Sequence, residues 1–166
     1  MANTNPYLIF SSPNSFTLAT MVGMKNWDGT LEYSTNLQNW TTWDGTTTLS
    51  SSNDAEHVLY VRGTGNSRIS GAYAQGYYPK RWVLTGSNIS CIGNIENLLD
   101  YEKALAGEHP EMANNCYDEL FYDCASLITA PELPATTLAE SCYRSMFYNC
   151  ASLITAPALP STTLVA

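Results

Sequence analysis

Charged residues are scarce in this sequence, and basic residues are the scarcest of them. Only 13% of the 166 residues are Asp, Glu, Lys or Arg, about half the usual share, which excludes a coiled coil and a charge-rich disordered chain. Seven basic residues stand against 15 acidic ones, giving a net charge of −8. Since nucleic-acid phosphates require a basic protein surface, we expect no nucleic-acid partner.

Long apolar runs and targeting signals are also missing. No run of apolar residues approaches the ~18 that a membrane-spanning helix needs, so we expect no membrane insertion. Residues 1–6 (MANTNP) lack the basic and apolar segments of a secretory signal peptide. Two explanations stay open: a signal that has been removed, or release by another route, such as within a virus particle freed by lysis.

The residue patterns of catalytic sites do not occur either. The two histidines differ in setting, because His57 lies in a strand-like run and His109 precedes a proline. No G-x-S-x-G, H-E-x-x-H or phosphate-binding glycine loop is present. The acidic pair Asp118 and Glu119 is interpreted as solvated surface. We therefore expect no enzyme activity, no catalytic residues and no cofactor.

The five cysteines favour a structural role. Their spacing lacks the intervals of two to four residues that four-cysteine zinc sites use, so no metal is expected. Cys116 and Cys124, like Cys142 and Cys150, lie eight residues apart, which is ~12 Å along a helix and too far for a disulfide. Reduced thiols that pack as small core residues are the preferred interpretation, while pairing between repeats stays open.

Residues 1–90 have the pattern of a β domain. Short runs of β-forming residues alternate with turns that contain Gly, Asn and Pro, and helical periodicity is absent. Six or seven short strands separated by such turns are typical of an antiparallel sandwich or barrel. We predict an antiparallel β-sandwich over this half. Its strands are predicted at residues 7–10, 16–22, 31–34, 46–49, 57–62 and 81–84.

The tetrapeptide Trp-Asp-Gly-Thr occurs twice in this half, at residues 27–30 and 43–46. Asp-Gly between extended runs predicts a two-residue hairpin turn, in which both central residues have positive φ. The preferred interpretation is two turns whose tryptophans pack on a sheet. The alternative is a sugar-binding platform of Trp27, Trp40 and Trp43, because exposed aromatic faces stack well on sugar rings.

A repeat of 26 residues dominates the C-terminal half. Residues 112–137 and 138–163 align without gaps and are identical at 17 of 26 positions. Residues 96–166 also hold ten of the 15 acidic residues and only two basic ones. This change in composition predicts two domains, residues 1–90 and residues 91–166, with a boundary near residue 90.

Each repeat is predicted to begin with a helix. Apolar residues fall at every fourth position along residues 112–124 and again along residues 138–150, which indicates one apolar helical stripe. Thr137 and Glu140 fit a capping box, in which two side chains satisfy the free backbone N–H groups at a helix start. The sequence therefore predicts two equivalent helices, 26 residues apart.

A short strand is predicted to follow each helix. Residues 153–156 are apolar and β-forming, and the prolines after them cannot donate to a strand ladder. Residues 94–106 form a further predicted helix, which ends at Gly107 and caps the first repeat. Helix-and-strand units of this size bury their apolar faces only by stacking, so we predict a short α/β solenoid with a parallel sheet.

Two pairs of segments carry a family resemblance. The pattern C-Y-x-x-[LM]-F-x-x-C-x-S-L occurs at 116–127 and 142–153, followed by A-P-x-L-P-x-T-T at 130–137 and 156–163. In these residues the chain resembles the BspA-like group of bacterial leucine-rich repeat proteins. The β domain also looks like the leader domain that precedes such repeats in gut-bacterial and phage-encoded proteins. The resemblance implies adhesion or recognition at an exposed surface, without catalytic residues.

The repeats are fewer than such arrays usually have. Repeat arrays generally need three units or more and a polar cap at each end, whereas two full repeats and no final cap are present here. We therefore expect the second repeat to be covered, by a second copy in a homo-oligomer or by another virion or surface protein. A sequence cut from a longer array is the alternative.

Repeated tyrosines are the best candidates for a binding surface. Tyr117 and Tyr143 share one repeat position, and Tyr122 and Tyr148 share another. Each pair is expected to form a ladder along the array, and tyrosine suits interfaces because it is rigid and has a polar tip. The alternative is that these rings only cover the seams between helices.

The sequence thus predicts an α+β chain, with an N-terminal antiparallel β-sandwich followed by a short leucine-rich-repeat-like α/β solenoid. We expect a non-enzymatic recognition or structural display protein on an extracellular or virion surface, in the first place a phage decoration or fibre component. The alternatives are a bacterial cell-surface adhesin fragment and a glycan-binding module that uses exposed Trp and Tyr. A host glycan or protein receptor is a further candidate partner.

Overall fold

The computed structural model describes residues 5–21, 23–70 and 81–164, and this part of the chain is a β-rich α+β structure with eleven strands and one helix. No helix in it has the length and apolar content needed to cross a bilayer. The elements are β1 (Leu8–Ser12), β2 (Thr17–Thr20), β3 (Thr30–Ser34), β4 (Thr41–Thr42), β5 (Leu49–Ser50), β6 (His57–Thr64), β7 (Trp82–Thr85), β8 (Ile89–Ile92), α1 (Asn97–Leu105), β9 (Leu127–Thr129), β10 (Thr137–Leu138) and β11 (Thr163–Leu164).

The larger sheet has six strands in the order β4-β3-β6-β1-β8-β9. Its pairs are antiparallel except β8 and β9, which run parallel. Strand β6 buries every second side chain, because successive residues of a strand point to opposite faces. Leu59 and Val61 lie on its inner face and are fully buried. The strands predicted at 7–10, 31–34 and 57–62 are confirmed here, whereas β4 and β8 were missed.

A second sheet has three strands in the order β5-β2-β7. Trp82 on β7 links the elements, because its ring centroid lies 6.4 Å from that of Phe10, 5.4 Å from Trp43 and 6.0 Å from Phe121. Phe121 belongs to the first repeat, so both halves of the chain share one hydrophobic core. This sheet contains the strands predicted at 16–22 and 81–84 and overlaps the one at 46–49 only at Leu49, while residue 22 lies outside the described residues.

Helix α1 confirms the helix predicted at residues 94–106. It packs on β6, where Gly63 approaches the backbone carbonyl of Leu98 so closely that a Cβ atom would overlap that oxygen. Glycine is therefore needed at this contact between helix and strand. The helix ends at Leu105, two residues before the predicted end at Gly107. Gly107 has a φ of 80° and donates its N–H to the carbonyl of Ala104.

Strand β8 connects the N-terminal half to the first repeat. Its neighbour on one side is β1, and its neighbour on the other side is β9. An isolated parallel bridge between Asn94 and Glu132 extends this contact. The main sheet therefore runs without a break into the first repeat, and the predicted boundary at residues 90–91 falls inside β8.

The helices predicted at residues 112–124 and 138–150 are wrong. Both stretches are series of tight turns, in which a residue with positive φ recurs at every fourth position. A left-handed residue in each group of four interrupts a right-handed helix. The capping box is also wrong, since Thr137 lies in β10. The left-handed residues are Asn115, Glu119 and Asp123 in the first stretch and Ser141, Ser145 and Asn149 in the second.

The apolar spacing explains this error. Positions four residues apart drift by about 40° per step around a helix of 3.6 residues per turn, so a strict spacing of four does not keep one helical stripe. Turns that repeat every four residues keep the same positions on one side, and Cys116, Leu120 and Cys124 are buried together. We refer to residues 112–124 as the first turn segment and to residues 138–150 as the second turn segment.

The strand predicted at residues 153–156 is also wrong, although the same four residue types at 127–130 contain β9. Strand β9 pairs with β8 along its length. In the second repeat, Ile154 makes a single backbone hydrogen bond, from its N–H to the carbonyl of Ile128. Identical residues therefore differ in structure because the first copy lies between strand β8 and the second repeat, whereas the second copy has the first repeat as its neighbour on one side only among the described residues.

The two Trp-Asp-Gly-Thr segments form different turns, and neither is the predicted hairpin. Asp28, Gly29 and Asp44 all lack the positive φ that such a turn requires. The Asp44 carboxylate accepts the N–H of Thr46 within its own turn at 2.9 Å. The Asp28 carboxylate instead accepts the N–H of Ser67 at 2.9 Å and joins two distant loops. The surrounding chain, and not the tetrapeptide, decides the turn.

Candidate functional site

Alternate backbone N–H groups of the first turn segment donate to the second turn segment. Because every second N–H points the same way, the segment has a donor side and an acceptor side. This ladder of hydrogen bonds forms a main-chain interface between the two turn segments. The N–H groups of Asn115, Tyr117, Glu119, Phe121 and Asp123 bind the carbonyl groups of Glu140, Cys142, Arg144, Met146 and Tyr148, at N···O distances of 2.8 to 3.0 Å.

The acceptor side of the first turn segment is covered by the N-terminal half. The N–H groups of Ile69 and Trp82 donate to the carbonyls of Cys116 and Leu120, at 2.8 and 2.9 Å. The hydroxyl of Ser70 donates to the carbonyl midway between them, at 2.7 Å. The N-terminal half thus caps the first repeat through the backbone.

The donor side of the second turn segment is uncovered. In the described part of the chain, none of the five N–H groups equivalent to the ladder donors has a hydrogen-bond partner. The intervening N–H groups are used inside the segment, as in the bond from Arg144 to the carbonyl of Ser141. We call these five donors, together with the side chains of Ile154 and Leu159, the end face. The donors belong to Ser141, Tyr143, Ser145, Phe147 and Asn149.

Side chains at matching positions are buried in the first repeat and exposed in the second. Leu133 is 4% exposed, and its counterpart Leu159 is 60% exposed. Ile128 is half-buried, whereas its counterpart Ile154 is 81% exposed. The side chains of the first repeat are buried because the second repeat packs beside them. The end face therefore combines apolar side chains with a row of donors, the composition of an interaction surface.

The predicted tyrosine ladders are confirmed. Tyr117 and Tyr143 stack with ring centroids 5.7 Å apart, and Tyr122 and Tyr148 stack with centroids 4.6 Å apart. Tyr117 is fully buried and donates its hydroxyl to the carbonyl of Ile95, so it cannot contact a ligand. Tyr122 and Tyr143 are half-buried. Tyr148 is 58% exposed and is the most accessible of the four ladder tyrosines.

A third ladder was missed at the level of sequence. Phe121 and Phe147 stack with centroids 5.8 Å apart and ring planes only 5° apart. The signal was present, because identical aromatic residues occur 26 positions apart. Phe121 is fully buried and Phe147 is half-buried, so this ladder ties the second repeat to the core.

The tryptophans do not assemble into a platform. Trp27 and Trp43 are 4% and 1% exposed and pack against each other with centroids 4.9 Å apart. Both rings belong to the core, which removes them from any sugar-binding surface. Trp40 is half-buried, and the guanidinium of Arg62 lies 3.9 Å from its ring centroid. Arg62 also lies 4.4 Å from the ring centroid of Tyr101, so a cation–π stack occupies part of the Trp40 surface.

The interpretation of Asp118 as solvated surface is wrong. Asp118 is fully buried and forms a two-pronged ion pair with Arg144, with Nη2–Oδ2 and Nε–Oδ1 distances of 2.6 and 3.0 Å. The two residues hold the same position in successive repeats, so stacking brings opposite charges together. Arg144 remains 47% exposed. Glu119, the other member of the predicted pair, is half-buried.

The cysteines pack in the interior, which confirms their predicted structural role. Cys91, Cys116, Cys124 and Cys142 are buried and Cys150 is half-buried, all as free thiols. Burial raises the pKa of Cys124 to about 12, so its thiol is protonated and unreactive near neutral pH. Within residues 5–21, 23–70 and 81–164, no cluster of three His, Cys, Asp or Glu side chains could hold a metal ion.

Glu96, just before α1, is a buried carboxyl group. Its Oε1 lies 2.9 Å from Nδ1 of His109, and its backbone N–H donates to the side-chain oxygen of Asn94 at 2.8 Å. Burial raises the pKa of Glu96 above its ordinary value of 4.5, although the contact with His109 opposes this shift. The group links the start of α1 to the loop that leads into the first repeat.

The raised pKa of Glu96 makes the free energy of unfolding depend on pH. Between the ordinary pKa and the raised one, the folded chain binds more protons than the unfolded chain, so this group lowers stability as pH rises through that window. We expect Glu96→Gln to remove this loss. Urea titrations at a series of pH values should show the free energy of unfolding of the variant rising relative to that of the wild type as pH rises above 4.5. A difference independent of pH would contradict the prediction.

Comparisons with known proteins give no match for this chain. No family model matches it, and neither a curated protein nor a solved structure does so. The likeness to BspA-like repeats therefore rests on the repeated residues themselves. The end face is the feature of the described structure from which a function can be argued.

Proposed function

We propose that this chain is a non-enzymatic recognition or display protein that docks through its end face, on a second copy or on another surface protein. The observation that supports the proposal is the row of five unpaired N–H groups, whose counterparts in the first repeat are all bonded. Water can serve these donors while the face is open. Ile154 and Leu159 are stabilised only when a partner removes them from water.

The finer architecture is part of the same proposal. The two repeats form the start of an α/β solenoid without helices in its turn segments, set on a β-sandwich leader. The parallel pair β10–β11 supports this reading, because it joins Thr137 to Thr163 in the register of the 26-residue repeat. The ladder between the turn segments also supports it, because the bonded residues are separated in sequence by nearly the same interval as the repeat. Further units could add to such a stack without changing its register.

The setting we propose is an exterior surface, first that of a phage virion and second that of a bacterial cell. The support is the resemblance to BspA-like repeats and to the leader domain that precedes them. A glycan-binding role has less support, because Trp27 and Trp43 are buried. Of the aromatic residues in that hypothesis, Tyr148 is exposed, and Trp40, Tyr122 and Tyr143 are half-buried.

Immunogold labelling tests the setting. Antibody raised against the purified chain is applied to phage particles and to bacterial cells from the source culture. Label on the outside of virions is the expected result, and label on the bacterial envelope would favour the adhesin. Label confined to the cytosol would contradict both forms of the proposal.

Paired substitutions test the docking surface in the same particles or cells. Ile154→Asp combined with Leu159→Asp places two charges on the end face, where both side chains are largely exposed. We expect this variant to fold and to lose its surface label, because burying an unpaired charge on docking is costly. Leu37→Asp, at an exposed position in the N-terminal half, is the matched control and should keep its label. Equal labelling of the two variants would count against the end face.

A further inference from the structure

The end face has a direction that restricts its partner. Its main-chain groups are all donors, because alternate N–H groups of a turn segment point one way and the carbonyls point the other. In a dimer that brings two end faces together, N–H groups would face N–H groups. Such a two-fold contact buries donors without acceptors, which costs free energy for each unpaired group.

A head-to-tail contact between two copies is also blocked. The acceptors that match the end face are the carbonyls on the other side of the first turn segment. In the folded chain three of those carbonyls, at Cys116, Asp118 and Leu120, already accept hydrogen bonds from the N-terminal half. A second copy could offer them only by displacing its own N-terminal half from the shared core.

The ion pair between the repeats adds a charge requirement. Arg144 belongs to the second turn segment and pairs with Asp118 of the first. Its side chain is 47% exposed, so a carboxylate in the next unit of the stack could approach it. A second arginine at the same position would instead place like charges side by side.

We propose that the partner of the end face is a different repeat protein, whose turn segment offers a free row of carbonyls and an acidic side chain at the position of Asp118. This inference rests on the proposed docking function. The contact between the two turn segments of this chain supplies its geometry: five backbone hydrogen bonds, stacked aromatic rings and one ion pair. The end face continues that contact by one more unit.

Synthetic peptides test the inference on the full chain. One peptide has the sequence of residues 138–163, and a second differs from it only by Arg144→Asp. Each is titrated into the 15N-labelled chain, and the five end-face amides are followed by NMR. The R144D peptide should bind at least about tenfold more tightly, which corresponds to about 1.4 kcal/mol, and it should slow exchange at those amides. Equal affinity of the two peptides would overturn the charge requirement.

A fusion protein that carries the peptide sequence at the end of the chain avoids the loss of entropy on binding a free peptide. The copy of residues 138–163, with and without Arg144→Asp, replaces residues 164–166. Greater amide protection in the R144D fusion supports the inference, and equal protection in both overturns its charge requirement while the docking function stands. Protection in neither fusion overturns the docking function itself. Protection that grows with the concentration of the unmodified chain would show that the partner is a second copy, and it would overturn this inference alone.

Discussion

Replacing Trp82 by alanine is expected to lower the free energy of unfolding by about 3 to 5 kcal/mol. The ring is fully buried and contacts Phe10, Trp43 and Phe121, so its loss opens a cavity where the two halves of the chain meet. Denaturant titration followed by far-ultraviolet circular dichroism is the suitable measurement, because removing a tryptophan changes the fluorescence signal.

The neighbouring residue provides the control for Trp82. Val83 lies on the same strand, points to the opposite face and is 38% exposed, so Val83→Ala should cost less than about 1 kcal/mol. The wild-type chain should also unfold in a single transition, since both halves share one core. Two separate transitions, or a Trp82→Ala cost no larger than that of Val83→Ala, would contradict the shared core.

Arg144→Ala is expected to lower the free energy of unfolding by about 3 kcal/mol. The substitution leaves the carboxylate of Asp118 fully buried without its counter-charge, and the folded state must carry that cost. Asp118→Asn should cost less, about 1 to 2 kcal/mol, because the remaining Arg144 is 47% exposed and keeps contact with water. Denaturant titration of the two single variants and the double variant measures the asymmetry and the coupling.

Arg68→Ala is the matched control for the ion pair. Among the described residues, the Arg68 side chain makes one long hydrogen bond of 3.5 Å, to the carbonyl of Asn114, so its removal should cost less than about 1 kcal/mol. A cost of Asp118→Asn equal to or larger than that of Arg144→Ala would show that Asp118 is hydrated in solution. The same result would weaken the role of this pair in joining the repeats.

The strands of the N-terminal half could be predicted because their pattern is local. Residues 57–62 alternate in the sequence and are buried alternately in β6, since a strand separates its two faces at every residue. Strand β8 was missed because it becomes a strand only by lying between β1 and β9. The turn at Asp28 was also missed, because the partner of its carboxylate, Ser67, is brought to it by a tertiary contact.

The sequence predicts the 26-residue period of the repeat, but it does not predict the conformation of each repeat unit. Residues 26 apart do meet, as the tyrosine ladders show. The spacing of four that suggested helices is also the period of the turns, and the sequence offers no direct sign of left-handed residues such as Glu119 and Ser145. The burial of Asp118 was missed because its partner is Arg144, in the other repeat.

The tryptophans show a further limit of sequence reasoning. Trp27 and Trp43 share the same tetrapeptide, and both core packing and sugar binding fit such residues. Their burial follows from contact with each other and with Trp82, which no local pattern encodes. Trp40, which lacks the tetrapeptide, is the tryptophan of the three that retains exposed surface.

Residue-resolved amide hydrogen exchange of the chain alone tests the end face most directly. Tyr117 and Tyr143 follow the same residue type, so their intrinsic exchange rates are closely matched, and Phe121 and Phe147 form a second pair. We expect the first member of each pair to exchange at least about 100-fold more slowly than the second, because only the first donates to a carbonyl. Equal protection within both pairs in the isolated chain at low concentration would contradict an open row of donors.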